Sequence, residues 1–593
     1  MKDFIQFIYK ILKNKKALLF ASVVLTLFFG VWGYMIHPDV NGARVIIKSF
    51  GLFAFVLENN PNVQLVIAEF FATVTVFLGI AILFFKDFID RWTVQLQQKT
   101  PYILLIGLGE QNSTFLDQLQ DDDTSVLVIE SDSNNGNIEH YKGRGFGVIV
   151  EKAEDALSTL NLEQLKNCII STGNDRRNIA IGLLLVDKLD DKHQKLFVRI
   201  ENRDLSVLFK QEVIKSQNNV DIITYSLYEN MAKALFGKHT VLGLQPEIIE
   251  SDKTFSTVVV GSSLLAVEIV YQLAVLSTLP NENKFTLHLV APDAKQFYAK
   301  VQKLFTGITK IPHLSVKCTE LAYDDIAFYE NKIWNSRNLT NVIIATEDEE
   351  QNLDIAINLQ DTTYLQKSTK GTLKTKVLFA LYHNLGLGKA IDKNKDSFAN
   401  FYAFGSMKEA SSPENLIDER LDLIAKLINN DYIGSDELAI DSLDEKWMEL
   451  SVHKKDSNKA QALHIDTKLV ALGLKKQKSN RELQVLIKYN TDIVENIILQ
   501  QERSMDFPEK FDTLLSRLAR SEHDRWNAFH YLNGWEHDKN RDDKVKRHPC
   551  LLPFSQFDTD DLKGTYKYDV SGVLNIPIYL AHAGYELVET PNA

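Results

Sequence analysis

Two long apolar runs near the start of the chain constrain its fold more than any other feature of the sequence. They cover residues 17–36 and 63–85. The first has no charged side chain, and the second has only Glu69, near its start. Because a helix needs about 20 mostly apolar residues to cross the hydrocarbon core of a bilayer, each run predicts one transmembrane helix.

A shorter apolar stretch, 45–57, lies between the two runs. It is too short to cross a bilayer and contains Lys48, so it favours a re-entrant segment over a third crossing. Residues 17–99 are therefore predicted to form a pore-like domain with two transmembrane helices and one re-entrant segment.

The re-entrant stretch lacks the TVGYG-like sequence whose backbone carbonyls select potassium in potassium channels. It continues as FAFVLENNPN, which favours a less selective pore. Glu58 and Glu69 are candidate pore residues, because an acid within a membrane segment is costly and marks a functional position. Glu69 stands near the start of its run, so the membrane interface suits it equally well. Gly79 is a candidate bend in the second helix, although a glycine there serves a helix contact just as often.

Basic residues are concentrated on both flanks of the membrane segment. Residues 1–16 have apolar positions at helical spacing with lysines close by, which predicts an amphipathic helix at the membrane surface. Basic side chains also follow the second run, and only Arg44 and Lys48 lie between the runs. Since positive charge is retained on the cytoplasmic side, we expect a multi-pass protein of the inner (plasma) membrane with both termini in the cytoplasm.

The remaining sequence has the composition of large folded cytoplasmic domains. The chain has 593 residues and a formal net charge of −12, which argues against binding of a nucleic acid polymer. Its three cysteines show no paired spacing, and the histidines near the C-terminus lack the close pairs of a zinc site. We therefore predict no metal site. No nucleophile elbow, Walker loop or zincin motif is present in the sequence, and we predict that the protein is not an enzyme.

A nucleotide-binding pattern begins directly after the membrane segment. The sequence YILLIGLGEQN predicts a strand, a turn with Gly107 and Gly109, and a helix. A second predicted strand ends at Glu130, where a Rossmann fold has the acid that binds a ribose hydroxyl. Asn112 replaces the third glycine of the fingerprint, which weakens the prediction of pyrophosphate binding. These four residues are the predicted nucleotide site.

The glycines, the acid and the order of strands in 102–243 resemble the TrkA-N domain of the RCK regulators of potassium channels and transporters. The resemblance implies a cytoplasmic gating module that senses a nucleotide such as NAD(H), or an ion, within a first Rossmann lobe over 100–250. A degenerate lobe retained for packing and oligomerisation is the alternative. RCK regulators work as assemblies, so the resemblance also implies a homo-oligomer, either a dimer or a tetramer.

The strand pattern is repeated in a second predicted Rossmann-like lobe over 251–393. Its turn reads Gly261, Ser262 and Ser263, and Ala291 stands near the position of the ribose-binding acid. This lobe is expected to pair with the first rather than to bind a dinucleotide. Residues 394–510 predict a helical connector without an assigned role.

The last segment, 511–593, contains EH..W.......GW, then RDD...RHP.L.P, then KYD. This arrangement resembles the RyR domain, the repeat named for ryanodine receptors, and predicts a small, mainly α-helical domain. Aromatic rings for stacking a base and cations for phosphate give the candidate ligand residues His523, Trp526, Tyr531, Trp535, Arg541 and Arg547, with Arg525, Lys544 and Lys546 as further cations. The alternative is that the tryptophans belong to the core and the charges to a solvated surface.

Together these features predict a membrane α-helical segment followed by α/β lobes, in a ligand-gated ion channel. The ligand would be a nucleotide-type second messenger, and the partners would be the lipid bilayer, inorganic ions and further copies of the chain. The biological setting could be a stress or anti-phage response, or ion homeostasis. The alternative function is a membrane-anchored nucleotide-sensing regulator or scaffold without its own pore.

Overall fold

The computed structural model describes residues 15–38, 40, 42–84, 86–119, 125–189, 194–215, 220–242, 254–281, 283–360, 375–383, 385–393, 398–416, 419–434, 440–498 and 504–590. Except for its last two residues, the predicted surface helix over 1–16 lies outside these. The chain forms two compact units, Met1–Tyr225 and Ser226–Ala593.

The first unit begins with two helices that are long and apolar enough to cross a membrane. They are α1 (Lys15–Ile36) and α3 (Val63–Phe84). Close packing between them depends on Gly33, where a Cβ atom would lie 2.7 Å from Cγ of Leu65. The hydroxyls of Thr75 and Ser22 form a buried hydrogen bond of 2.9 Å between the same helices.

The predicted re-entrant segment forms α2 (Ala43–Gly51) and a 3-10 turn, Leu52–Ala54. Leu52 is fully buried and lies against Gly30 of α1, where a Cβ would be 3.2 Å from its Cδ1. At Gly79, by contrast, an added Cβ would meet no atom within 4 Å, and α3 continues past it to Phe84. The contact glycines are therefore Gly30 and Gly33, and α3 has no break at Gly79.

Helix α4 (Lys86–Gln97) follows α3 and leads to a six-stranded parallel sheet. The sheet has the order β3-β2-β1-β4-β5-β6, which is that of a Rossmann fold and confirms the predicted first lobe. Its strands are β1 (Tyr102–Ile106), β2 (Ser125–Glu130), β3 (Gly147–Val150), β4 (Leu165–Ile170), β5 (Lys195–Arg199) and β6 (Asp221–Tyr225). The helices between them are α5 (Glu110–Gln118), α6 (Asn137–Gly143), α7 (Ala153–Thr159), α8 (Asp175–Val186) and α9 (Arg203–Lys215).

The second unit contains a second six-stranded parallel sheet with the same relative order, β9-β8-β7-β10-β11-β12, so the predicted duplication is confirmed. Its strands are β7 (Ser256–Val260), β8 (Phe285–Ala291), β9 (Leu314–Glu320), β10 (Leu339–Ile344), β11 (Lys376–Ala380) and β12 (Phe401–Phe404). The helices of this region are α10 (Leu227–Lys238), α11 (Leu264–Leu276), α12 (Ala294–Leu304), α13 (Ile326–Tyr329), α14 (Glu349–Gln360) and α15 (Leu385–Lys393).

Two predicted boundaries of the lobes need correction. Helix α10, predicted within 100–250, belongs to the second unit, because its apolar face packs in the same core as α11. Strand β12, predicted within the connector, pairs with β11 and completes the second sheet. The prediction failed in both places because the spacing of apolar residues indicates whether a segment is a helix or a strand, but not the element on which it packs.

The predicted connector and the C-terminal domain share one core, in which Ile465 and Leu469 pack with Leu518 and Leu587. Strand β13 (Leu474–Lys478) of the connector pairs antiparallel with β16 (Tyr585–Glu589), and β14 (Glu536–His537) pairs with β15 (Arg547–His548). The helices are α16 (Met407–Ala410), α17 (Pro413–Leu416), α18 (Glu419–Tyr432), α19 (Ile440–Met448), α20 (Val452–Ala471), α21 (Leu483–Ile497), α22 (Leu514–Leu532), α23 (Asp560–Lys563), α24 (Tyr566–Leu574) and α25 (Ile576–His582). Helices α24 and α25 are separated at Asn575, and Pro577 lies in the first turn of α25.

Candidate functional site

The glycine turn of the first lobe has the geometry of a phosphate-binding loop. Gly107 has a φ of 91°, and a Cβ there would lie 2.5 Å from the carbonyl oxygen of Ser171, so only glycine fits. Gly109 is the N-cap residue of α5, and a Cβ there would meet no atom within 4 Å. The turn therefore leaves open space directly before a helix N-terminus, which favours a bound anion.

Asn112 and Glu130 hold this turn in place. The Nδ2 of Asn112 donates to the carbonyl oxygens of Gly107 (2.7 Å) and Ile106 (3.3 Å), so the side chain that replaces the third glycine ties the helix to the turn. One carboxylate oxygen of Glu130 accepts from the backbone N–H of Leu108 (2.7 Å), and the other accepts from that of Asp132 (2.8 Å). Glu130 is 8% exposed beside the turn, at the edge where a ribose would lie.

A polar network that sequence reasoning missed lies at the carboxyl ends of β1, β4, β5 and β6. Gln111 accepts from the Ser171 hydroxyl (2.6 Å) and donates to the Tyr225 hydroxyl (2.6 Å). The guanidinium of Arg199 lies 3.4 Å from the Ser171 hydroxyl, while its Nε donates to Glu201 (2.8 Å). In open α/β sheets ligands bind at this crevice, between the two central strands. Ser171 directly follows β4, and Arg199 and Tyr225 are the last residues of β5 and β6, so their position at strand ends was the available signal.

The corresponding turn of the second lobe is closed. Gly261 has a φ of 116°, and Ser263 donates to the carbonyl oxygen of Ala345 (2.7 Å) across the crevice. The hydroxyl of Tyr382 donates to the carbonyl oxygen of Thr346 (2.8 Å) and also contacts Ser263. Burial raises the pKa of Tyr382, so this hydroxyl stays neutral as a donor. The hydroxyls of Ser263 and Tyr382 therefore bond to backbone carbonyls of the lobe itself beside this turn.

The predicted ligand residues of the C-terminal domain divide into three groups, and the first is internal. Trp535 is 7% exposed and stacks on His453 of α20 at a centroid distance of 4.9 Å. The hydroxyl of Tyr531 donates to the carbonyl oxygen of Leu551 (2.8 Å). Trp526 packs against His530 at 3.9 Å and His548 at 4.9 Å. Trp535 and Tyr531 thus pack inside the protein rather than offering a free stacking surface.

The second group is a buried ionic cluster that contains Arg525. Its Nε and Nη2 lie 2.9 and 2.8 Å from Oε1 of Glu522, and Lys468 of α20 lies 2.5 Å from Oε2. Burial alone would raise the pKa of Glu522, but the two cations outweigh it and hold the pKa well below its usual value. His464 bonds to the hydroxyl of Thr278 (3.0 Å), and burial lowers its pKa to about 4. The cluster joins α22 to α20 and to the end of α11, so Arg525 has a structural role.

The third group lies at a surface that we call the Arg541 patch, formed by Arg541, Tyr432 and Tyr568. The rings of Tyr432 and Tyr568 are 57% and 43% exposed, with centroids 5.0 Å apart. Arg541 contacts the Tyr432 hydroxyl and is oriented by two bonds to Asp543 of 2.8 and 3.1 Å. Lys567 lies 5.2 Å from the centre of the Tyr568 ring. Planar rings beside cations suit a nucleotide, and Tyr432 was missed because it comes from the connector.

The four remaining candidates of the domain are one buried histidine and three cations. His523 is buried, with Nε2 2.7 Å from the carbonyl oxygen of Leu552 and Nδ1 3.5 Å from Asp569. Burial alone would lower the pKa of His523, but the hydrogen bond and charge of Asp569 outweigh it and raise the pKa. Arg547 pairs with Glu536, and Lys546 donates to the carbonyl oxygen of Asn533 (3.0 Å). Lys544 is exposed.

The predicted pore acids hold the return of the re-entrant segment. Glu58 forms an ion pair with Lys48 of α2 at 2.9 Å, and Lys48 lies 5.4 Å from the ring of Tyr34. The backbone N–H of Glu58 donates to Oε1 of Glu69 at 3.4 Å. Glu69 therefore contacts backbone within the helix bundle. Among the described residues, no three His, Cys, Asp or Glu side chains are arranged to hold a metal ion.

Two parts of the chain match known domain families. Residues 103–218 match the TrkA-N domain, and residues 501–586 match the RyR domain. The chain therefore carries a TrkA-N domain and a RyR domain, as the two sequence resemblances indicated.

Several solved structures are similar over most of their length. The GsuK channel bound to NAD is 11% identical, with 82% of this chain and 89% of that chain covered and a TM-score of 0.35. GsuK bound to ADP is 11% identical, with 69% and 97% covered and a TM-score of 0.33. A dipicolinate synthase from Bacillus halodurans is 10% identical, with 55% and 98% covered and a TM-score of 0.19.

Proposed function

We propose that this protein is a ligand-gated ion channel of the inner (plasma) membrane, in which a nucleotide bound by the first lobe changes the conductance of a homo-oligomeric pore. The observation that carries the proposal is the re-entrant segment between α1 and α3. Its 3-10 turn is buried against the helix pair at Leu52, and the chain returns through the non-helical residues 55–61, which are exposed except for the half-buried Glu58. Within a bilayer such backbone is tolerated only where it is covered by protein or lines a water-filled cavity. Further copies around a pore meet that requirement, whereas a simple two-helix anchor has no use for the segment.

The connection between lobe and membrane supports gating. Helix α4 packs on the first lobe through Gln97, which accepts from the backbone N–H of Gly147 (3.0 Å) and donates to the carbonyl oxygen of Gly145 (3.3 Å). Asp90 of the same helix lies 3.0 Å from Lys142. A shift of the lobe would therefore move the helix that follows α3. For a ligand to open the pore, it must bind the open and closed states with different affinity.

The open glycine turn supports a nucleotide as the ligand. NAD(H) or another nucleotide would have its phosphates at Gly107 and Gly109 and its ribose at Glu130, with Arg199 as the neighbouring cation. We propose a sensing role without catalysis. A nucleotide-type second messenger in a stress or anti-phage response fits this arrangement, as does a metabolic nucleotide in ion homeostasis.

The Arg541 patch supports a second sensing site in the RyR domain. Two exposed tyrosine rings contribute little to the free energy of folding, whereas stacking of a base on such rings contributes about 1–3 kcal/mol to binding. The patch would take a planar, anionic ligand.

Flux measurements on the full chain in liposomes test the proposal. Potassium and sodium fluxes are measured with and without NAD, NADH, ADP and a cyclic dinucleotide, and we expect at least one nucleotide to change the flux. Gly109→Asp introduces a negative charge into the open space of the turn and should abolish that response while the oligomer stays intact. Gly136→Ala is the control, because a Cβ there also meets no atom within 4 Å. Absence of flux under every nucleotide, with intact oligomers, would favour the anchored regulator without a pore.

A further inference from the structure

The 3-10 turn that precedes the tip of the re-entrant segment packs inside the helix pair. Leu52 packs against Gly30, which is six residues before the end of α1 at Ile36. At 1.5 Å per residue, this contact is about 9 Å below the end of the helix. On the return side, the backbone of Glu58 bonds to Glu69, six residues into α3. If a hydrocarbon core of roughly 30 Å begins at the end of α1, as the proposed channel requires, the 3-10 turn lies about a third of the way into it.

Both ends of the tip are fixed, which leaves three residues to form it. The 3-10 turn ends at Ala54, and the ion pair between Lys48 and Glu58 holds the other side. Phe55 has a left-handed backbone with a φ of 57°, and the N–H of Val56 donates to the carbonyl oxygen of Gly51 (3.1 Å). This tight turn fixes the backbone of the tip, whose side chains, unlike that of Leu52, are not buried.

The three tip residues are apolar and exposed. The exposed fractions of Phe55, Val56 and Leu57 are 47%, 60% and 57%. The neighbouring charges of Lys48 and Glu58 neutralise each other, so the tip carries no net charge. If the segment faces a shared cavity, its narrowest part is lined by side chains of this kind. Apolar constrictions gate pores by expelling water.

We propose that Phe55, Val56 and Leu57 of each copy form an apolar ring that is the closed constriction of the pore. The inference rests on the proposed channel function and adds the residues that block the resting pore. Ions pass when the ring widens enough to hold water, and discrimination between potassium and sodium is weak. The Lys48 and Glu58 pair positions the ring by holding the return of the chain.

The exchange Val56→Thr tests the ring, because it replaces a methyl group with a hydroxyl at nearly constant volume. We expect ligand-free flux in liposomes to rise severalfold, for both potassium and sodium, as the closed ring becomes easier to wet. Val24→Thr makes the same exchange at a 46% exposed position of α1 and should leave ligand-free flux unchanged. If the wild-type protein conducts with nucleotide, but the ligand-free flux of Val56→Thr is no higher than the ligand-free flux of the wild type, the ring is refuted while the channel stands. If the wild-type protein never conducts, the proposed function itself fails.

Thiol modification provides a second readout should the threonine variant fold poorly. A charged methanethiosulfonate reagent should change the flux of Val56→Cys, since it places a charge in the constriction. Val24→Cys and the wild-type chain, whose cysteines are 168, 318 and 550, should be unaffected. Equal effects on Val56→Cys and Val24→Cys would overturn the assignment.

Discussion

Replacing Glu522 by glutamine should strongly destabilise the contact between the RyR helix α22 and the connector helix α20. Glu522 is 2% exposed and accepts bonds from two nitrogens of Arg525 and one of Lys468. Glutamine keeps the volume, but its single oxygen can serve only one cation, and its amide nitrogen faces the other. One hydrogen bond to a charged group contributes about 1.5–3 kcal/mol, and a buried charge left without its partner costs about 3–5 kcal/mol in all.

The measurement is hydrogen exchange of the α22 amides in the full chain, since exchange reports the free energy of local opening. We expect an opening free energy lower by about 3–5 kcal/mol at pH 7. The folded-state pKa of Glu522 lies below its ordinary value of 4.5, so its stabilisation is fully present above pH 4.5. The difference between wild type and variant should therefore narrow as the pH falls below 4.5.

Two controls separate burial from charge. Glu586→Gln changes a carboxylate that also accepts three hydrogen bonds, which hold its pKa at about 2, but at the protein surface, and it should have a much smaller effect. The triple change Lys468→Met, Glu522→Leu and Arg525→Met removes all three charges and should restore most of the protection, because well-packed apolar groups can replace a buried ionic cluster. If Glu522→Gln lowers the opening free energy by less than about 1 kcal/mol, which is the contribution of an exposed ion pair, the reasoning is refuted.

Two further changes test other contacts of the second unit. Gly307→Ala should loosen α22 from the second lobe, because a Cβ there would lie 2.0 Å from the backbone oxygen of Tyr531. In limited proteolysis this variant should be cleaved faster than the control Gly237→Ala, where a Cβ meets no atom within 4 Å. Equal cleavage of the two variants would contradict the contact. Tyr568→Ala, made together with Gly109→Asp to silence the first lobe, should weaken nucleotide binding by about 1–3 kcal/mol in calorimetry. Val545→Ala, at a 62% exposed position of the same domain, is the control, and identical affinities would remove the Arg541 patch as a site.

The parts of the fold that the sequence predicted are those with a strong local pattern. The strand Tyr102–Ile106 agrees with its prediction to the residue, because a short apolar run bounded by turn residues defines its own ends. The apolar runs likewise predicted the long helices to within two residues, at Lys15–Ile36 and Val63–Phe84. Elements placed by tertiary packing, such as α10 and β12, were assigned to the wrong neighbours.

The candidate site residues also divide into those that a local pattern predicted and those that only tertiary packing brings together. Gly107 and Glu130 lie together at the turn, as a Rossmann pattern of glycine and acid at a fixed distance predicts, and their contact with a nucleotide stays a prediction. Arg525 was named as a cation for phosphate, but it pairs with Glu522 in the buried cluster. Glu522 stands three residues before Arg525, and this spacing predicts an ion pair on one helix face. Tyr432 could not be found, since it approaches Arg541 only after the connector has packed against the RyR domain.

The closed turn of the second lobe has a consequence for how the two copies of the fold have diverged. Ser263 and Tyr382 of the second lobe use their hydroxyls on the lobe's own backbone carbonyls, whereas the turn of the first lobe leaves open space beside Gly109. Two copies of one fold have thus taken different chemistry at the same place in the sheet. Under the proposed function, the first lobe is the copy of the two that responds to a change in nucleotide concentration.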